Sequence, residues 1–297
     1  MNRNSVVALV LLGLSWLTPG KLQADPMAVV ATHSILGDLA RQVGGSHVQV
    51  TTLVSPDRDP HTYEPTPADV RRIKNAQVVI MNGLGLEGWM DRLIKASGFK
   101  GVPVVATTGV AARQMEEDGQ RITDPHAWNN AANGMIYVHN IIQAFGAADP
   151  KRLQRYQENG ARLIEELETL DAETRRLMGA VPAAHRKVLI GHDAFGYFAD
   201  AYGLTFIAPL GLSTESEASA GDIANLIRQI RAEGIRVFFL ESSNDPRVVQ
   251  QIGQATGAKA GGTLHVEALS DEKGPAPTYV QMFRHNVRTL STALSGR

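Results

Sequence analysis

From Pro150 to Val181 the chain holds one uninterrupted helical pattern. No proline falls inside it, and Leu153, Tyr156, Leu163, Leu167, Leu170, Thr174 and Leu177 recur at intervals of three, four or seven residues. That spacing keeps them on one helical face, with charged residues filling the gaps. At 1.5 Å per residue, a helix of this length spans on the order of 45 Å, more than one small domain needs. The pattern therefore reads as a strut connecting two lobes rather than as a loose linker. A break near Gly160 would instead give two shorter helices.

On either side of this segment, short apolar runs alternate with helical patterns, the signature of α/β architecture with largely parallel sheets. In the first half, Ala28–Thr32, Val48–Val54, Gln77–Asn82 and Pro103–Ala106 read as strands. Ile35–Val43, Pro67–Asn75, Glu87–Ser97 and Asn130–Phe145 read as helices. Pro67–Asn75 is well signalled, with Thr66 as N-cap, Pro67 at the first helical position and Asp69 in the first turn. In the second half the strands are Lys187–Gly191, Thr205–Ala208, Val237–Glu241 and Ala258–Gly261. The helices are Ala194–Tyr202, Ala220–Glu233, Pro246–Thr256 and Pro277–Leu294. The expected organisation is a leader over 1–24, an N-terminal lobe over 25–149, the connecting helix over 150–181 and a C-terminal lobe over 182–297. The two lobes read as similar units, although no strict repeat is visible.

The leader sets the compartment. Arg3 supplies a basic start, Val6 to Leu17 is apolar, and Pro19 and Gly20 break that run before a small-residue cleavage site at Ala24. This is the pattern of a secretory signal peptide, too short to span a membrane. The chain has no cysteine, so neither a disulfide nor a lipid anchor on an N-terminal cysteine is expected, and the mature chain should float free in a periplasm. The formal charge of −1 becomes slightly more negative once Arg3 and Lys21 are removed. Nothing in that balance recommends nucleic acid or an anionic membrane as partner.

Without thiolate, any metal must be held by nitrogen and oxygen. Ligands of open α/β sheets gather outside the carboxyl ends of strands, and three histidines sit at such places. His61 lies in the proline-rich loop after Val48–Val54, His126 lies in Asp124-Pro125-His126 before a helix, and His192 directly follows an apolar run. Glu267 follows another probable strand. No two of the four share a helical turn, so a common site would form where separate strand ends converge. Neutral imidazole is a good zinc ligand, and a carboxylate can complete a tetrahedral shell. Asp124 and Asp193 could orient rings through their second nitrogen, with helix N-capping as the equal alternative. His33, just after the first strand, is on the correct edge for the same supporting role. His265 is expected to face solvent. Trp128, Phe195, Tyr197 and Phe198 are expected to wall a cleft or to pack in the core.

The stretches SPDRDPHTYEPTPADV (55–70), DPHAWNN (124–130), GHDAFGYFADAYGL (191–204), ESSNDPRVVQQI (241–252) and GGTLHVEALSDEKGPAPTYVQMFRHNV (261–287) resemble the solute-binding proteins of zinc and manganese ABC transporters, the cluster A-I family. The resemblance covers essentially the whole mature chain. It implies two lobes joined by one rigid helix, with metal in the cleft between them, and its ligand positions fall on His61, His126, His192 and Glu267. Two departures stand out. The family usually has aspartate where this chain has Glu267, which leaves Asp271 as a substitute fourth ligand. Many zinc-specific members carry a histidine-rich loop before the second ligand, whereas Thr107–Asp124 here holds no histidine, only the acidic Glu116, Glu117 and Asp118.

The resemblance implies a periplasmic, non-enzymatic protein that delivers a divalent metal to an inner-membrane ABC permease and its ATPase, with a periplasmic metallochaperone as a further possible partner. Three imidazoles and one carboxylate favour Zn(2+) as cargo, with Mn(2+) or Fe(2+) as the alternatives. A monomer is expected, with lobe motion limited to a small tilt, and affinity should fall as pH drops below about 6.5. A zinc-dependent hydrolase would need an open coordination position, with Glu267 as base, but neither H-E-x-x-H nor G-x-S-x-G is present. A metal-dependent adhesin would rest on partner binding that the sequence does not reveal.

Overall fold

A computed structural model describes residues 25–117, 119–209, 211 and 219–295. The expected signal peptide and the acidic Asp118 lie outside the described residues. Two four-stranded parallel sheets organise the rest. The first contains β1 (Met27–Ala31), β2 (Val48–Thr52), β3 (Val78–Met81) and β4 (Val104–Val105), in the order β2-β1-β3-β4. A hairpin, β5 (Gln114–Glu117) with β6 (Gln120–Thr123), follows it. The second sheet contains β7 (Lys187–Leu189), β8 (Thr205–Ile207), β9 (Val237–Glu241) and β10 (Lys259–Leu264), in the order β10-β9-β7-β8. Counted within its own half, each sheet has the same order, second-first-third-fourth. The two halves are thus one topology used twice, as the alternating pattern suggested.

Nine α-helices occur among the described residues: α1 (Ser34–Gly44), α2 (Pro67–Asn75), α3 (Met90–Ser97), α4 (Ala131–Ala148), α5 (Leu153–Gly179), α6 (Gly196–Tyr202), α7 (Ala220–Glu233), α8 (Arg247–Thr256) and α9 (Tyr279–Leu294). Each expected helix is present, mostly with ends shifted by one to three residues. The period-two alternation of the strands sorts their side chains between layers. In β1, Met27, Val29 and Ala31 face the large cluster built with α1, α4, α5 and α9, whereas Val30 joins β3 Val79 and the α2–α3 face. In the second sheet, Val188 and Phe239 face that same large cluster, whereas Leu189 and Phe238 face α7 and α8.

The long helix is continuous through Gly160. Its buried face runs Tyr156, Gly160, Leu163, Leu167, Leu170, Thr174 and Met178, so the expected stripe holds, with Met178 fully buried where Leu177 was anticipated. Both ends fall short of the expected 150–181: Pro150–Arg152 forms a 3₁₀ turn and the helix stops at Gly179. Gly160 is a point of close approach and not a break: a Cβ there would stand 2.2 Å from Ile142 Cδ1 of α4. As expected, α5 links the two halves. It packs on α1 and α4 from one half and on α6 and α9 from the other, inside one shared apolar cluster.

The β5–β6 hairpin was not foreseen, because its strands are polar and only Met115 is buried. Its one sequence signal is the dipeptide Asp118-Gly119 between the paired residues Glu117 and Gln120, a pairing favoured in two-residue hairpin loops. The close α4–α5 approach gives a direct test. Gly160→Leu should destabilise the fold by roughly 1–3 kcal/mol through overpacking, visible as a lower midpoint in urea unfolding. An unchanged midpoint would mean that the two helices are not closely packed.

Candidate metal centre

The carboxyl ends of both sheets deliver three side chains to one place, and the β5–β6 hairpin leads into the fourth. His61 comes from the loop after β2, His126 from the turn after β6, His192 from the loop after β7 and Glu267 from the loop after β10. Their four potential ligand atoms all lie within 4.8 Å of one another. Glu267 Oε1 is 2.9 Å from His192 Nε2 and 3.1 Å from His126 Nε2. Its Oε2 is 3.6 Å from His61 Nε2, which in turn is 3.1 Å from His126 Nε2. Three of these side chains are fully buried, and His61 keeps 10% of its side chain exposed.

Local structure fixes each imidazole. The His61 loop is pinned at its far end by Asp69, whose Oδ2 accepts from Thr66 N and from the Tyr63 hydroxyl, each at 2.7 Å. Asp59 Oδ1 accepts from His61 N at 2.7 Å. Asp124 accepts from both His126 N (3.0 Å) and His126 Nδ1 (2.8 Å), and Arg113 holds its other oxygen at 3.1 Å. A carboxylate can only accept, so the Nδ1 of His126 carries the proton and its Nε2 is turned into the cluster. Asp124 thus lies within hydrogen-bond distance of the ring it was expected to orient.

For His192 the orienting carboxylate is Glu241, at the end of β9, and not Asp193. Glu241 bonds His192 Nδ1 through Oε2 and accepts from His192 N and Gly191 N at 3.0 and 2.8 Å through Oε1. Asp193 makes no hydrogen bond to a histidine among the described residues. It is a half-buried group near Asp124 and Arg113, and burial and the Asp124 charge push its pKa up. Glu241 and Arg113 were missed by the sequence reading. For Glu241 a signal existed: a carboxylate ending the apolar run Val237-Phe-Phe-Leu needs a buried partner.

The remaining expectations divide. Asp271 is exposed and caps its own turn by accepting from Lys273 N at 3.0 Å, so it is no substitute for the buried Glu267. His33 is buried against Trp128, with ring centroids 5.3 Å apart, and makes no hydrogen bond to the four residues. His265 is buried rather than solvent-facing, its backbone paired with Asn286. Trp128 packs against His126 and donates from Nε1 to Val266 O at 2.8 Å, one residue from Glu267. Phe195 and Phe198 belong to the apolar core, and the Tyr197 hydroxyl binds Asp124 O and accepts from Arg113 N.

Electrostatics ties the four into one unit. Burial alone would lower the His126 pKa, but the Glu267 charge and the bonds to Asp124 and Glu267 outweigh it and raise it to about 9. His192 is likewise raised, against its burial, by Glu241 and Glu267. Burial would raise Glu267, yet the imidazoles hold its carboxyl well below the ordinary range.

Two same-topology parallel sheets around a shared helical core, with three imidazoles and one carboxylate gathered where the two halves meet, define a solute-binding protein for metal ions. Residues 29–293 match the family described as zinc-uptake complex component A, periplasmic (ZnuA), and the chain belongs to that family. Its members are solute-binding components of ABC metal transporters and not enzymes, which sets aside a hydrolase. The iron-binding protein YfeA of Yersinia pestis is 32% identical over 270 residues, covering 90% of this chain and 86% of that protein. The manganese-binding lipoprotein MntA of Bacillus subtilis is 30% identical over 281 residues, covering 93% and 92%. The solved structure of the periplasmic zinc-binding protein TroA from Treponema pallidum superposes with a TM-score of 0.85 at 29% identity, covering 91% of this chain and 99% of that one. No helix among the described residues is long and apolar enough to cross a membrane.

The raised and lowered groups set how the metal-free fold responds to pH. His126, raised from 6.5 to about 9, contributes stability that is complete below about 6.5 and is lost as pH climbs through about 9. Glu267, depressed below its ordinary 4.5, contributes stability that is present above that value and is lost on further acidification. Urea unfolding of the metal-free protein should therefore show its highest midpoint between about pH 5 and 6.5, with a fall towards pH 9. A midpoint that keeps rising to pH 9 would contradict the His126–Glu267 pairing.

Proposed function

We propose that this protein captures Zn(2+) in the periplasm through His61, His126, His192 and Glu267 and carries it, as a monomer, to its ABC permease and ATPase. The observation that carries this reading is the donor set: three imidazoles and one carboxylate, with potential ligand atoms within 4.8 Å of one another. Three nitrogens and one oxygen suit the tetrahedral preference of zinc, whereas manganese favours more oxygen. The relatives named above bind iron, manganese or zinc by their names, so the choice of zinc rests on the donor set and not on kinship. One feature favours a second reading, Mn(2+) or Fe(2+). Among the described residues Glu267 Oε2 has no hydrogen-bond partner, and a carboxylate ligating through both oxygens would add a fifth donor.

Calorimetric titration should show zinc affinity sharply reduced in His61→Ala and in His192→Ala; undiminished affinity in both variants would sink the ligand assignment. Metal must also displace protons from the Nε2 atoms of His126 and His192, both raised by their carboxylate partners. Zinc affinity should thus keep climbing with pH towards about 9, beyond the 6.5 of an ordinary imidazole. Titrations in buffers of different ionisation enthalpy should still detect proton release at about pH 8. Its absence there would mean that the imidazoles are already neutral in the metal-free site.

A further inference from the structure

His33 is a buried imidazole with no hydrogen bond at either ring nitrogen among the described residues. It follows β1, one of the two strands between which the order of the first sheet reverses, and packs on the Trp128 ring that also meets His126. Glu267 Oε2 is a buried carboxylate oxygen that likewise lacks a hydrogen-bond partner. Trp128 joins the two places, packing on His33 and binding through Nε1 the carbonyl of Val266 beside Glu267. Burial lowers the His33 pKa to about 4, with the Glu267 charge pulling the opposite way and His61 adding to the fall. At physiological pH the ring is therefore neutral, with one N–H to donate. A buried donor without an acceptor and a buried acceptor without a donor, in one region, call for a structural reason.

Loading supplies that reason. Without metal, Glu267 Oε1 lies within hydrogen-bond distance of the Nε2 atoms of His126 and His192. A metal takes those nitrogen lone pairs, the Nε2 protons leave, and one carboxylate oxygen becomes a ligand. The other oxygen then either joins the metal or accepts a hydrogen bond from the protein. We propose that His33 is a specificity-determining positioning residue, whose ring N–H engages Glu267 Oε2 in the loaded site and restricts the carboxylate to one metal bond. The inference rests on Glu267 being a ligand. A carboxylate held to one oxygen keeps the shell at four donors and favours zinc; one released to bind through both oxygens suits manganese or ferrous iron.

His33→Phe keeps a ring against Trp128 but removes the donor, and His33→Gln keeps a donor. Each full-length variant would be titrated with Zn(2+) and Mn(2+), and loaded with Co(2+) as a spectroscopic probe of coordination number. In His33→Phe, zinc affinity should fall roughly tenfold or more while manganese affinity falls less. The intense visible bands of four-coordinate Co(2+) should weaken at the same time, and His33→Gln should restore both. An unchanged zinc-to-manganese preference with an unchanged Co(2+) spectrum overturns the proposal, as do equal losses in the Phe and Gln variants, which would mark a packing role. Should His33→Phe fail to fold, His33→Leu carries the same expectations. If the unmodified protein takes up neither zinc nor cobalt, the ligand assignment fails as well, an outcome distinct from loss of preference alone.

Discussion

One buried carboxylate governs the arrangement. Glu267 is fully excluded from solvent, and an ionised group in that position is tolerated only when charge and hydrogen bonds compensate it. Here the compensation comes from imidazoles, and two of these are in turn held by the further carboxylates Asp124 and Glu241. Each carboxylate–imidazole pair raises the affinity of the ring for a proton. In the metal-free protein, protons thus occupy the place that a divalent cation would take. The same arrangement that compensates the buried Glu267 charge makes cargo compete with protons.

That cluster stays in register because the halves are bonded to each other around it. Trp128 Nε1 reaches Val266 O, Asn129 Nδ2 reaches Ala194 O, Leu269 N reaches Ser34 Oγ, and the Tyr279 hydroxyl reaches Trp128 O. Tyr279 N, at the start of α9, is bound to Asp38 on α1. All are buried contacts between residues far apart in sequence. Together with α5, which packs along a core common to both sheets, they leave little room for wide opening. A hinge of large amplitude would have to break several buried hydrogen bonds at once, each costing about 1–3 kcal/mol when left unmade.

The sequence disclosed more of the fold than of the site. Strands and helices were legible because their apolar periodicity is strong, as in Val237–Glu241, which the structure reproduces residue for residue. The stripe on α5 was equally plain, but whether that helix stands free or lies in a shared core depends on tertiary contacts with α4 and α9 that no periodicity encodes. Polar elements were lost: Gln114–Thr123 carries almost no apolar alternation. His61 and His192 could be picked out by their position at the ends of apolar strands, and His126 by its place just before a helix. Of their supports only Asp124, two residues from His126, lay within reach of local spacing; Glu241 lies 49 residues from the ring it orients, while the neighbouring Asp193 looked the better partner only by proximity in sequence. Local spacing is a sound guide within a helix and a poor one across the ends of a parallel sheet.

The distribution of order around the cluster also bears on how cargo passes in and out. His126, His192 and Glu267 are anchored in the shared core and are fully buried, whereas His61 sits on a proline-rich loop and retains some exposure. Between β2 and α2 that loop has no regular secondary structure; it is tied at its far end by the Asp69 cap and nearer its start by Asp57 N, which donates to Leu269 O. Displacing His61 alone opens one side of the site while the orienting bonds of the other two imidazoles stay intact. Withdrawing any of the other three would uncouple a buried carboxylate from its imidazole. On these grounds exchange through the His61 edge disturbs the least packed structure, and a frame that resists large motion can still load and release an ion.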